Sequence, residues 1–566
     1  MPGWLFSSLR GYRREWLRGD LIAGLTVWAV LVPEALAYAS IAGVSPVVGL
    51  YAAPGALIFY AAFGSSRHLI TGPMSATAAL SAATVGAYAT AGSQTFVAMT
   101  AALAIATGLV AAVAGLLRLG FVANFISEPV LKGFIVGLAL TIIVGQLPAL
   151  FGVEKGSGDF FQKLWHVITE LGDAHALTLL IGVISLAIVL GLRRLAPGVP
   201  GSLVAVAFGV VATAVFSLDT HGVEIVGHID RGLPSLGFPS VDFHQLVRLL
   251  GGGVGVMLVG FAEGLGAAKT YAVQHHYEVD VDQELLGLGA ANLAAGLSSG
   301  MVVNGSLSKT AVNGSAGARS QVSGLAVAVM TIVTLLLLTG LFEKLPEATL
   351  AAVVIAAVIE LIDIHSLGRL YRVYGGKLGR SYGVAARPDF IAAIAALLGV
   401  TVFDTLPGLF IGISISLLLL LYRASRPRVA ELVRVQGSGE RYADAQRAAK
   451  GEHLPGIEIL RVESGLFFAN ADYVRQRILA AARRDGIRAV ILDASNVSAI
   501  DMTAVQMLDQ VSDQLQEMGV RLRVARDIGE VRDVLRRAGS DPKLQRVFPS
   551  IQDAIDSLPP EPLPRR

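Results

Sequence analysis

The chain has 566 residues, 54% of them hydrophobic and only 16% charged, with a mean hydropathy of +0.63. Soluble domains carry about a quarter charged residues, so most of this chain belongs in a membrane. The net charge of +2 comes without a basic helix or interleaved basic and aromatic residues, which argues against nucleic-acid binding. The absence of cysteine excludes disulfides, thiol catalysis and Cys-type metal sites.

Residues 1–19 carry Arg10, Arg13, Arg14 and Arg18 among scattered aromatics and no signal-peptide apolar stretch, and read as an amphipathic cytoplasmic lead-in. Apolar runs then follow at Leu21 to Ala42, Pro46 to Phe63, Gly72 to Ala91, Phe96 to Leu117, Phe134 to Phe151, Ala176 to Leu192 and Ser202 to Phe216. After a polar stretch the second half continues with Gly253 to Val273, Leu285 to Ser298, a break at Ser306, Val322 to Leu341, Leu350 to Ile362, Pro388 to Phe403 and Leu409 to Tyr422. These predict about fourteen membrane elements, seven in each half, over 20–217 and 245–424. Loop charges agree. One set of alternate connections holds Arg67, Arg118, Arg193, Arg194, Lys269, Arg319 and the cluster Arg369, Arg372, Lys377, Arg380 and Arg387. The other set is poor in bases, which predicts both termini in the cytoplasm. Asn124, Glu128 and Lys132 flank the fifth run, where snorkelling at the interface is expected.

The character changes after Arg423. Residues 425–456 read as a polar linker, and 457–558 alternate strands with helices as a small α/β domain does. A proline-rich tail spans 559–566.

Two polar breaks stand out within the apolar regions: Gly72-Pro73-Met74-Ser75-Ala76-Thr77, and Val302 to Asn313 with Ser306, Ser308 and Lys309. Polar backbone at membrane depth is tolerated where it lines a cavity or is buried in protein, and an intramembrane cation marks a functional site. Paired breaks in corresponding positions of two halves point to a transporter site. Ordinary helix capping by Ser75, Thr77, Ser306 and Ser308 is compatible with that role. Glu263, within the eighth run, is the ionisable residue between Val256 and Ala268.

Val32-Pro33-Glu34-Ala35-Leu36-Ala37-Tyr38-Ala39, the two breaks, and Gln283 to Asn292 resemble signatures of the SulP anion permeases in order. Ile491-Leu492-Asp493 and Ile500-Asp501-Met502-Thr503 resemble the STAS domain that these permeases carry at the C-terminus. The resemblance implies a 7+7 inverted repeat with core and gate parts, elevator-like motion and a homodimer in the inner membrane. It implies no enzyme activity and no cofactor. It implies that the third and tenth elements are half-helices whose N-termini face one another across the anion. Each start offers unpaired N–H donors and about half a positive charge.

The expected substrate contacts are Tyr38, Ser75, Ala76, Thr77, Ser306, Leu307, Ser308 and Lys309, with Glu263 and Glu34 as coupling acids. Two departures matter. Lys309 stands where many members have Arg, and it cannot fork onto two oxygens. Glu34 stands where an amide is frequent; it would repel an anion, bind a coupling cation or pair with a base. Pro33 is expected to kink or break the first helix. The cycle this suggests has Lys309 paired with ionised Glu263 when empty; an incoming dianion takes Lys309, and Glu263 takes a proton. Sodium is the rival coupling ion. Sulfate is the first substrate choice. Bicarbonate or a C4-dicarboxylate is the alternative, ahead of a channel or a sensor acting through the STAS domain and a cytoplasmic partner. Thr503 falls at a position phosphorylated in anti-sigma-factor antagonists; capping of its own helix is the plainer role.

Overall fold

The computed structural model describes residues 5–121, 127–156, 158–196, 198–229, 231–359, 362, 368, 386–403, 405–435, 441–448, 451–539 and 547–559. Asn124, the basic residues Arg369, Arg372, Lys377 and Arg380, the Arg387 side chain and most of the proline-rich tail lie outside them. The chain divides into two compact units, Met1–Ser416 and Leu417–Arg566.

The first unit is helical. Its first half comprises α1 (Leu17–Ile41), α2 (Pro46–Phe63), the short strand β1 (Ile70–Gly72), α3 (Ser75–Gly86), α4 (Gln94–Leu116), α5 (Glu128–Phe151), α6 (Phe160–Glu170), α7 (Ala176–Leu195) and α8 (Gly201–Phe216). The second half comprises α9 (Phe243–Gln274), α10 (Val281–Leu297), β2 (Asn304–Ser306), α11 (Leu307–Ser315), α12 (Val322–Val333), α13 (Glu347–Ile359), α14 (Ala386–Phe403) and α15 (Thr405–Ser425), the last continuing into the second unit. Eight of the described helices are long and apolar enough to cross a membrane.

Contacts sort the helices into two groups. α1 to α4 pack with α9 to α12, while α5, α7 and α8 pack with α13 and α14. Glycine sets these crossings because helix backbones touch there. A Cβ on Gly49 of α2 would lie 2.0 Å from the Ala35 carbonyl oxygen of α1, and one on Gly133 of α5 equally close to that of Ala393 in α14. Small residues at such contacts supply the close packing that replaces a hydrophobic drive inside lipid.

Four expectations change. α1 runs through Pro33 without a break. The third run is helical only as α3 (Ser75–Gly86), and its first residue, Gly72, ends β1. The run to Leu341 is α-helical only to Val333, then winds as a π-helix over Thr334–Leu338 and a 3₁₀ turn over Thr339–Leu341. At Thr334 the Trp28 Nε1–H of α1 donates to its hydroxyl at 2.9 Å. Finally, α6 is an element that the apolar runs do not announce. Asp159 and Gln162 cap it reciprocally, and Phe161, Trp165 and Ile168 form an exposed stripe along it.

The second unit holds a sheet in the order β4 (Tyr442–Asp444), β3 (Val429–Val435), β6 (Ile457–Val462), β7 (Ala489–Asp493), β8 (Arg521–Ala525), with β5 (Gly451–Glu452) against β3. β6, β7 and β8 are parallel, and β3 is antiparallel to β6. The supposed linker 425–456 therefore supplies β3, β4 and β5, because Val429 faces one core of the sheet while Ala430 and Leu432 face the other. The helices Ala471–Ala482 and Met502–Glu517 cover one face, over Leu460, Val462, Val490 and Leu492. The short helix Ile551–Asp556 covers the other, over Ile459 and Ile491.

On the first face Arg484 joins two carboxylates, Glu431 of β3 and Glu458 of β6, the latter at 2.7 Å. Burial and the neighbouring Glu431 hold Glu458 above its ordinary value, whereas Arg484 holds Glu431 below its own. The Glu431 contribution is thus present at neutral pH and lost as pH falls through its lowered value; the Glu458 cost is relieved over the same fall. Arg484→Ala leaves two facing carboxylates. We expect it to destabilise this unit by about 1–2 kcal/mol at pH 7, a figure kept small because Arg484 is half exposed, with part of the loss recovered near pH 5. Thermal unfolding of the full chain at the two pH values checks this; a loss that grows on acidification would contradict it.

Candidate anion site

The two polar breaks meet. β1 and β2 pair antiparallel, with Ile70 opposite Ser306, Thr71 opposite Gly305 and Gly72 opposite Asn304. Because the strands are antiparallel, α3 and α11 leave opposite ends of this ladder with their N-termini turned toward it. The ladder is held from its other side as well. Ile70 N–H donates to Thr310 Oγ1 at 3.1 Å, and Asn313 Nδ2 donates to the His68 carbonyl at 2.9 Å. Gly305 is required here, since a Cβ would come within 3.0 Å of the Gly264 Cα on α9.

Capping differs between the two helix starts. Ser306 Oγ accepts from Lys309 N–H at 3.2 Å, and Ser306 and Ser308 hydroxyls lie 3.2 Å apart. Met74 precedes α3 and gives no side-chain cap, so Ser75, Ala76 and Thr77 open the helix uncapped, all buried. The Thr77 hydroxyl donates back to the Met74 carbonyl at 3.3 Å. Leu307 and Ser308 are exposed at the start of α11.

Lys309 is 1% exposed and bridges three parts of the site. Its Nζ lies 2.6 Å from Glu34 Oε2, donates to the Pro73 carbonyl at 3.3 Å and sits 5.1 Å from the Tyr38 ring centroid. Glu34 and Tyr38 are four residues apart on α1 and so share the face turned to it. Of the arrangements left open for Glu34, the structure shows it paired with a base. It also corrects the expected pairing of Lys309 with Glu263. Among the described residues no ion pair joins those two, and Glu263 Oε2 on α9 is buried without a hydrogen-bond partner. Lys309 pairs instead with the acid on α1.

The Pro73 carbonyl and Thr310 were not foreseen, though both lie inside the quoted motifs. Glu284, in the Gln283 to Asn292 motif, is likewise structural. Its fully buried carboxylate accepts from Tyr60 at 2.7 Å and from the N–H groups of Ser65 and Ser66 at 2.8 and 2.9 Å, fixing the turn ahead of β1.

In the second unit, Asp501 caps the helix Met502–Glu517, accepting from Ala504 N–H at 2.8 Å. Thr503 is therefore not the cap; it sits in the first turn, exposed.

A bundle with two broken elements meeting at a buried cation, followed by an α/β unit, fits a multi-pass membrane transporter with a C-terminal α/β domain. The Sulfate permease family model matches residues 17–376, and the STAS domain model matches 449–554. The chain belongs to the sulfate permease family and ends in a STAS domain; it is a transporter and not an enzyme. It is 34% identical to a probable sulfate transporter of Mycobacterium tuberculosis over 97% of each chain. It is 31% identical to sulfate transporter 1.2 of Arabidopsis thaliana, covering 92% of this chain and 82% of that one. Among solved structures it is similar to the murine solute carrier 26 family member A9 anion transporter in the inward-facing state, with a TM-score of 0.86, 23% identity, and coverage of 98% and 93%. The transmembrane domain of a cyanobacterial bicarbonate transporter matches with a TM-score of 0.62, 24% identity, and coverage of 70% and 98%.

Proposed function

We propose that this chain is a secondary active anion transporter that carries sulfate with a proton across the inner membrane. The observation that carries the reading is the convergence of two helix starts and Lys309 on one β-ladder. Helix N-termini supply N–H donors and positive potential, and the buried ammonium adds a full charge. An oxyanion bound by Ser75, Ala76, Thr77, Leu307 and Ser308 completes that set. The relatives at about one-third identity bear the name of sulfate transporters, which puts sulfate ahead of bicarbonate and C4-dicarboxylates.

Coupling follows from the Glu34–Lys309 pair. A dianion arriving at Lys309 competes with Glu34, and a carboxylate deprived of its cation in a buried site takes up a proton. Glu263, whose Oε2 is buried without a hydrogen-bond partner, is the second acid whose charge depends on what occupies the site. Anion and proton then bind cooperatively, which is symport by linkage. The site belongs wholly to the α1–α4 and α9–α12 group, so sliding of that group against the α5–α8 and α13–α14 group would carry it across, as in an elevator. A seven-plus-seven inverted repeat accounts for the antiparallel ladder. Cytoplasmic termini account for the basic connections, and by resemblance the working unit is a homodimer.

Uptake of labelled sulfate, bicarbonate and succinate into liposomes, with and without a proton or sodium gradient, tests the reading. Sulfate accumulation driven by protons is expected. Sodium dependence would transfer the coupling role to sodium, and an uncoupled, unsaturable current would indicate a channel. A chain truncated after Arg428 should still bind substrate, because every residue of the proposed site precedes it. Absence of binding in a folded truncated protein, measured by calorimetry, would contradict this.

A further inference from the structure

A second feature adjoins β2. Thr107 of α4, Val256, Met257, Gly260 and Phe261 of α9, and Asn304 of β2 line a small cavity. Its volume, about 10 Å³ for the centre of a water-sized sphere, is close to the least that holds one water molecule. Two polar groups in its wall are orphaned. Thr107 Oγ1 and Asn304 Nδ2 are buried and have no hydrogen-bond partner, on residues only 2% and 1% exposed. Asn292, which also lines the cavity, has its amide committed: Oδ1 accepts from Val303 N–H at 3.0 Å and Nδ2 donates to the Val303 and Leu288 carbonyls.

The Asn304 amide is wedged in place. Cβ atoms on Gly260 and Gly264 of α9 would come within 3.1 and 3.2 Å of its side chain, so these two glycines leave the space it fills. A buried amide N–H₂ and a buried hydroxyl are each costly if left unsatisfied. Dry cavities are apolar, whereas a polar cavity with two partners for a water fills.

We propose that one ordered water molecule occupies this cavity, accepting a hydrogen bond from Asn304 Nδ2 and bonding to Thr107 Oγ1. It ties β2 to α4. Asn304 faces Gly72 across the ladder and is two residues before Ser306, so the water fixes the strand that presents the start of α11. Thr107 and Asn304 are thereby positioning residues, with the water as their ligand. The inference is independent of the substrate and coupling assigned above.

The sign of one substitution decides it. Thr107→Val exchanges the hydroxyl for a methyl of the same shape. With the water present it strands both the water and the Asn304 amide, so the melting temperature of the full-length protein falls. Thr107→Ser keeps the hydroxyl and should still hold the water, which controls for packing. A map at a resolution that shows waters should carry a peak within hydrogen-bond distance, about 2.7–3.2 Å, of Thr107 Oγ1 and Asn304 Nδ2. With an empty cavity, Thr107→Val removes an unsatisfied group and the melting temperature rises; that rise, or a site without density in such a map, overturns the proposal. A positioning role further predicts that Thr107→Val raises the KM for the transported anion more than it lowers the maximal rate.

Discussion

Lys309→Ala is expected to raise the KM for sulfate by about two to three orders of magnitude. Removing one partner of a buried pair costs about 3–5 kcal/mol, and each 1.4 kcal/mol is a factor of ten. Two losses combine here. The anion loses its cation, and Glu34, 2.6 Å from Lys309 Nζ, is left as an unpaired carboxylate beside the same site. The second loss can be separated from the first. Lys309→Ala together with Glu34→Gln should recover thermal stability but only part of the affinity, because the unpaired charge is repaired and the missing cation is not. Lys309→Arg should retain much of the transport, provided the larger guanidinium fits between Glu34, the Pro73 carbonyl and Tyr38. Sulfate uptake kinetics and calorimetric binding give the answer, and wild-type affinity in the alanine variant would refute the role of Lys309.

Glu263→Gln should keep sulfate binding and abolish accumulation driven by a pH gradient. The amide imitates the protonated acid, so the substrate-binding form is preserved while the proton has nowhere to go. Glu34→Gln gives the contrasting result. It releases Lys309 from its partner, so sulfate affinity should rise while the pH dependence of binding falls. Comparing the variants assigns coupling to α1, to α9 or to both. Undiminished proton-driven accumulation in both would remove carboxylate coupling altogether.

The residues of the site were legible in the sequence because polar groups are conspicuous where chain must lie in lipid. Gly72 to Thr77 and Ser306 to Lys309 are such places, and each begins on one strand of the paired β1–β2 ladder and runs into the helix that follows it. What sequence could not rank was distance. Glu263 and Glu34 are both acids on apolar helices, and only the crossing of α1 over the ladder brings Glu34 to Lys309. The helices were legible as apolar runs wherever those were long. α6 was hidden because its apolar residues form a stripe rather than a run. β3 was hidden because its Gly-containing surroundings read as linker, and a strand's partner, here β6, is not written locally.

The β-ladder bears on how the protein is made. Ile70 takes its acceptor from Thr310, 240 residues further along the chain, and β1 takes its ladder partners from the same distant region. Unpaired backbone groups are costly in hydrocarbon, and contacts so far apart are slow to form. Until the ribosome has delivered β2, the newly inserted first half therefore carries an unsatisfied strand edge within the bilayer. The first half on its own should be a client for membrane chaperones and proteases. Supplying the second half as a separate polypeptide should rescue it, since completion of this three-residue ladder in trans removes the exposed edge.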